Sequence, residues 1–269
     1  MRTLLKVGAS LLLLAFVLIG LSYSMLKAQG ISSPQSASSR SPDSETRPVS
    51  ANIVEIELDG PIDLTLRQGA QASLQVKGER RLLANIDTSS SGDTLHIGTT
   101  GMLLHHRQPL QVVLVLPALR ELRVRGSGDS TVNGFSGDAI AVHMGGSGTL
   151  KFNGRYRQVD AGVRGSGELE MNGGASASVD ARVEGSGTLT VVGSSKSLDA
   201  LLAGSGQLDA RHLRADVVKL NLMGSGSAEV NASARLDAEL RGSGDVSVFG
   251  KPPQRNVSVT GSGDVSYED

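Results

Sequence analysis

The tripeptide Gly-Ser-Gly recurs eight times in the second half of the chain. Its first glycine stands at Gly126, Gly146, Gly165, Gly185, Gly204, Gly224, Gly242 and Gly261, and its second at Gly128, Gly148, Gly167, Gly187, Gly206, Gly226, Gly244 and Gly263. Successive copies are 18 to 20 residues apart. A fixed period of this length marks a solenoid or propeller, in which each repeat is one supersecondary unit that buries its apolar face only by stacking on its neighbours.

With the first glycine of each copy set as position zero, a second regularity appears. The residues two, four and six before it and four and six after it are apolar at 37 of 40 places, the exceptions being Arg120, Ser130 and Arg255. The average hydrophobic content of 39% would give roughly 16. Positions plus three and plus five, such as Thr149 and Lys151 or Thr188 and Thr190, are polar in every copy. Strict alternation of this kind belongs to a strand with one buried and one wet face.

By the same parity both glycines of each tripeptide fall on the inward side. This predicts a corner with no inward side chain, where only glycine allows the backbone approach and dihedrals. The sixteen glycines are therefore the expected structural corner residues, and the serine between each pair is expected to point outward. A further set, Gly134, Gly154, Gly173, Gly193 and Gly250, predicts a second corner, since three of the five follow an Asn as positive-φ turns prefer. Two strands and a short side such as residues 155–158 would close a rung of about 20 residues, and eight rungs at ~4.8 Å would make a rod of about 38 Å. An antiparallel barrel or meander with one bent strand per repeat is the competing architecture, kept open by the near symmetry of the motif about its serine.

Glycine accounts for 34 residues, aromatics for 3%, and Trp and Cys are absent, which suits a thin aliphatic core and excludes a disulfide framework. A formal net charge of −1 with no long basic run excludes nucleic acid as a partner class. At the N-terminus, Arg2 and Lys6 precede an apolar stretch from Val7 to Leu21. Residues 1–28 read as a signal peptide, with small residues at Ser22 and Ser24 suited to cleavage, or as a retained membrane anchor if the run extends to Leu26 and reaches the ~20 residues that span a bilayer. Export to the periplasm or cell envelope follows from either, and the only membrane contact expected is through this segment. Residues 29–50, rich in Ser and Pro, read as a flexible linker.

Residues 51–119 alternate less regularly, as in Val54 to Leu58, Ile62 to Leu66 and Leu95 to Ile97, with one short helix expected within 79–86. They read as strands without the glycine corner, forming an irregular β N-terminal cap and first rungs before the repeats of 120–269, because terminal repeats of solenoids must close the core. Taken together, residues 51–269 resemble the head GIN domain of autotransporter adhesins, a bacterial envelope domain. The resemblance rests on Ile56 to Gly60, Leu64 to Gly69, Asp93 to Ile97, Leu116 to Leu119 and the turns ending at Gly261 to Asp264. It implies an all-β, right-handed parallel β-helix with no catalytic residues to carry over.

Nothing in the sequence assembles chemistry. His105 and His106 are adjacent but lack further ligands at a recognisable spacing, so no metal and no cofactor is expected. Asp160, Asp180, Asp199 and Asp237 share one column and would stack, yet Lys219 interrupts them and Arg182 lies beside them, as on a solvated face of mixed charge. Gly-Ser-Gly followed by no helix is neither a phosphate loop nor a nucleophile elbow. The expected function is that of a non-enzymatic, exported, adhesin-like or scaffolding protein that presents a regular solenoid surface to an envelope protein or glycan. A polysaccharide-binding or polysaccharide-cleaving β-helix is the alternative. The edge of the last rung is expected to pair with a second copy, giving a homodimer.

Overall fold

The computed structural model describes residues 41–100 and 109–268. Before the first Gly-Ser-Gly the chain forms β1 (Pro42–Arg47), β2 (Glu55–Asp59), β3 (Ile62–Gln68), β4 (Ser73–Glu79), the single turn α1 (Arg80–Leu83), β5 (Ile86–Ser91), β6 (Thr94–Thr99) and β7 (Leu110–Leu116). After it come β8 (Glu121–Gly126), β9 (Ser130–Gly146), β10 (Thr149–Gly165), β11 (Glu168–Gly185), β12 (Thr188–Gly204), β13 (Gln207–Gly224), β14 (Ser227–Gly242), β15 (Asp245–Phe249), β16 (Gln254–Gly261) and β17 (Asp264–Glu268).

From β8 onward every neighbouring pair is parallel and, on either side of the second corner, in register, so like stacks on like. Leu150, Leu169, Leu189 and Leu208 form one such column, and Val163, Val183, Leu202, Leu222 and Leu240 another. These parallel ladders settle the architecture as a β-solenoid and exclude the antiparallel meander. From β8 to β15 the inward columns are buried almost completely, and burial of each such aliphatic side chain stabilises the rod by about 1.5–3 kcal/mol. Ser130, the polar exception in its column, is also buried, stacked against Leu64 and Leu150 with its hydroxyl lacking a hydrogen-bond partner.

Differences in repeat length are absorbed at the second corner, where register shifts fall at Asn153/Gly154, Asn172/Gly174, Thr190/Gly193 and Ala210/Arg214. Backbone with positive φ occurs there at Gly134, Gly174, Gly193 and Gly250. Gly154 and Gly173 are not in that region, so in β11 the turn is taken one residue later than expected, by Gly174. The short side beyond this corner adds core residues outside the five columns: Phe135, Tyr156 and Leu213 are each at most 2% exposed.

The N-terminal region holds two rungs visited out of chain order. β2 and β3 lie directly beneath β8 and β9, while β6 and β7, which follow later in sequence, lie one level further out beneath β2 and β3. Contrary to the expectation of strands lacking a glycine corner, Gly60 turns between β2 and β3 with φ 102° directly under Gly126. Outside this pair the chain reverses: β5 runs antiparallel on β6, β4 antiparallel on β7, and β1 antiparallel on β4. Leu82 and Leu83 of α1 are buried in the core cluster at this end.

Strand β1 corrects the linker expectation, since residues 42–47 are ordered against β4. Their composition offers little to bury, but the open edge of β4 supplies backbone partners, and Arg47 donates to the carbonyls of Leu83 (2.8 Å) and Ile86 (2.5 Å). Residues 1–40, with the signal or anchor segment and most of the linker, lie outside the described residues, as do His105 and His106.

Candidate functional site

The two glycines of each Gly-Ser-Gly do different work. The first turns the chain, with φ between 107° and 130° from Gly146 to Gly261, and it is half-buried or exposed. The second is buried from Gly148 to Gly244 and keeps an ordinary φ. The expectation that both lie on the buried side is therefore corrected: a positive φ at the first glycine breaks the alternation, so only the second remains inside. Both are held to glycine by proximity. A Cβ at Gly165 or Gly167 would lie 3.0 Å from the carbonyl oxygen of Gly146 or Gly148 one rung below, and elsewhere in the two columns the approach is closer still. The serines Ser127 to Ser262 are all exposed, and Ser225 and Ser243 hydroxyls lie 3.1 Å apart.

Chemistry must then come from the outward columns. One and three residues before the corner, the first four repeats carry Arg125, Gly145, Arg164 and Glu184 in one column and Arg123, His143, Gly162 and Arg182 in the other. A strand gains no packing from outward glycines, and Gly145 and Gly162 leave a hollow of about 350 Å³ in this face. Its rim consists of Arg123, Arg125, His143, Arg164, Arg182 and Glu184. His143 lies across Gly162, where an added Cβ would come within 2.8 Å of its Nδ1. At Gly145 the nearest atom to such a Cβ is Cγ of Arg125 at 3.5 Å, an ordinary contact, so this glycine is the open part of the hollow.

Carboxylates sit beside the guanidinium groups and fix them. Arg123 pairs with Glu57 (3.1 Å) and Glu121 (2.5 Å), Arg125 with Asp59 (2.8 Å), and Arg182 with Asp160 (2.6 Å). The Asp59 hydrogen bond raises the Arg125 pKa further above its ordinary value, so this cation is permanent. Arg164 is the least committed, 86% exposed and 3.6 Å from Glu184. A guanidinium carries five N–H donors, so these pairs leave donors available for a carboxylate or sulfate ligand.

The aspartate ladder is a different feature. Asp160, Asp180 and Asp199 are stacked neighbours, followed by Lys219 and Asp237. Burial raises the Asp180 pKa; Arg182 opposes it, and Asp160 and Asp199 add to it. Among the described residues no group of three or more His, Asp or Glu is arranged to hold a metal ion. In the sequence Gly145 and Gly162 stand in columns that also hold Leu201, Ala203 and Met223, so only their neighbours across the rungs set them apart.

Fold and site define a repeat-built β-solenoid with a regular outer face and one arginine-rimmed hollow in it. The chain belongs to the family described as "Putative auto-transporter adhesin, head GIN domain", whose model matches residues 53–252. Its fold is shared with solved structures of low sequence identity. A "putative lipid binding protein" and a "putative adhesin", both from Parabacteroides distasonis, each match with TM-score 0.79 and 23% identity over 85% of this chain and 97% of theirs. A "putative adhesin" from Parabacteroides merdae matches with TM-score 0.75 and 19% identity over 85% of this chain and 96% of its own. No curated protein matches the chain. Family membership gives the protein an adhesin-like, cell-envelope character, and no helix among the described residues is long and apolar enough to cross a membrane.

Proposed function

We propose that this protein is an exported, non-enzymatic adhesin that binds acidic glycans through the hollow at Gly145 and Gly162. The observation that carries the reading is the loss of side chains at two neighbouring outward positions, Gly145 and Gly162, within a ring of arginines. A sugar ring fits against bare backbone, and its carboxylate or sulfate fits the planar donor fork of arginine, which recognises such groups in bidentate fashion. Catalysis is not part of the reading, because among the described residues the carboxylates beside the hollow, Asp59, Asp160 and Glu184, are each paired with an arginine of its rim. The adhesin description of the family supports an envelope location, as does the basic and apolar start of the chain.

Binding of polygalacturonate, with neutral dextran as control, tests this. Gly145→Gln fills the hollow at a position with room for a Cβ, and Arg164→Gln removes the least committed cation. Each is expected to weaken polygalacturonate binding about tenfold, corresponding to ~1.4 kcal/mol. Equal affinity for dextran, or unchanged affinity in both variants, would sink the proposal.

A further inference from the structure

We propose that two copies of this chain join tail to tail through the rung β16–β17, with a two-fold axis passing through Ser262. This inference is independent of glycan binding and rests on the open end of the core.

Among the described residues, the outer edges of β16 and β17 pair with no strand: β16 is bonded only to β14, and β17 only to β15. Neither strand carries the Pro, Lys or bulge that usually blunts a free edge. The core is open there as well. Val257 is 37% exposed and Val259 and Tyr267 are each 42% exposed, whereas their counterparts one rung below, Ala238, Leu240 and Val248, are at most 5% exposed. The guanidinium of Arg255 lies over the Tyr267 ring, 4.4 Å from its centroid. Exposed Tyr and Arg around aliphatics are the composition of an interface centre rather than of a solvated surface.

The identity of the occupant follows from the sequence of the rung itself. Residues 256–268 read NVSVTGSGDVSYE and are close to symmetric in character about Ser262. Reversing the rung on a second copy sets Val259 against Val265, Val257 against Tyr267, Gly261 against Gly263 and Ser258 against Ser266. Every inward residue then meets an inward residue and every outward one an outward one, which antiparallel pairing requires, since directly opposed residues share a face. β16 of one copy pairs with β17 of the other, and the converse pair is identical by symmetry. This choice also satisfies the rise of the solenoid. β17 stands higher along the rod than β16, so pairing unlike strands gives two equal gaps, while pairing β16 with β16 would leave β17 at a different spacing from its own copy. A heterologous strand filling the same edge would leave the cross-linking pattern below unmade. The interface is a single rung, small for a lasting assembly, so association is expected on the order of 100 μM.

The protein contains no cysteine, which makes cross-linking unambiguous. Residues 42–269 form one compact unit that contains all the described strand pairings, so a chain beginning at Ser41 retains the rod. Ser258, Ser262 and Ser266 carry outward, replaceable side chains. Ser262→Cys is expected to form a disulfide dimer on mild oxidation. Ser258→Cys mixed with Ser266→Cys is expected to give a heterodimer, while Ser258→Cys alone gives none. Sedimentation equilibrium should show the mass doubling by several hundred micromolar and returning to monomer in Val259→Lys. A monomer at every concentration, self-linking of Ser258→Cys, or dimerisation unaffected by Val259→Lys would each overturn the proposal.

Discussion

The two ends of the rod are built to opposite rules. At the N-terminal end the chain leaves the parallel stack and folds back: β5 and β4 cover the outer strands in antiparallel fashion, β1 adds a further strand, and Leu82 and Leu83 of α1 join the core there. At the other end the last described rung keeps the parallel repeat pattern apart from Arg255 and, among the described residues, exposes both its backbone edge and its inward valines. Stacked repeats derive stability from neighbours, so an end must either supply a foreign layer or leave its last interface unmade. The contrast shows that irregular sequence is here a structural requirement: the cap can close the rod because it departs from the repeat.

Point substitutions at the two ends should therefore differ most. Leu83→Ala, at a site 6% exposed, is expected to destabilise the protein by about 2–4 kcal/mol in urea titration, as buried leucines do. Val259→Ala, with the same type of truncation at a site 42% exposed, should cost under about 1 kcal/mol in the monomer. Similar losses at both sites would break the comparison.

A smaller effect sharpens it. Tyr156 is 2% exposed, and its hydroxyl donates to the carbonyl of Leu119 at 2.8 Å, tying β10 to the segment that leads out of the cap. Burial pushes its phenol up to about 12. A raised folded pKa means that the folded state favours the neutral phenol, so its contribution is complete below pH 10 and is lost as pH rises from there through about 12. Tyr156→Phe should lower stability by about 1 kcal/mol at neutral pH through loss of the hydrogen bond and flatten the alkaline part of the profile. Denaturant midpoints between pH 8 and 12 measure both.

Much of this was legible in the sequence, and the reasons differ by region. The inward columns were readable because a parallel stack repeats one environment, and repetition turns a weak alternation into a strong one. Arg120 and Arg255, exceptions in those columns, sit where the array begins and ends. What parity could not supply was a change of dihedral: counting by twos placed both corner glycines inside, whereas the positive φ of the first puts it partly outside. Nor could it find Phe135, Tyr156 and Leu213, because the short side has no constant length and so no column. The stacking of β6–β7 beneath β2–β3 is a long-range pairing choice with no local signature. β1 was hidden for a related reason, since its order comes from a partner's edge rather than its own residues. The hollow at Gly145 and Gly162 was present in the sequence, but glycine at an outward position gains meaning only once its neighbours across the rungs are known.

Hydrogen exchange along the rod tests the contrast between its ends most directly. At low micromolar concentration, amides of β6 and β7, covered by antiparallel strands, are expected to approach the protection of β10 to β13, and those of β16 and β17 to exchange fastest among the strands of the array. Raising the concentration to several hundred micromolar should protect β16 and β17 selectively. Protection of β16 and β17 equal to that of the central rungs at the lowest concentration, or rapid exchange of β6 and β7, would contradict a rod closed at one end and open at the other.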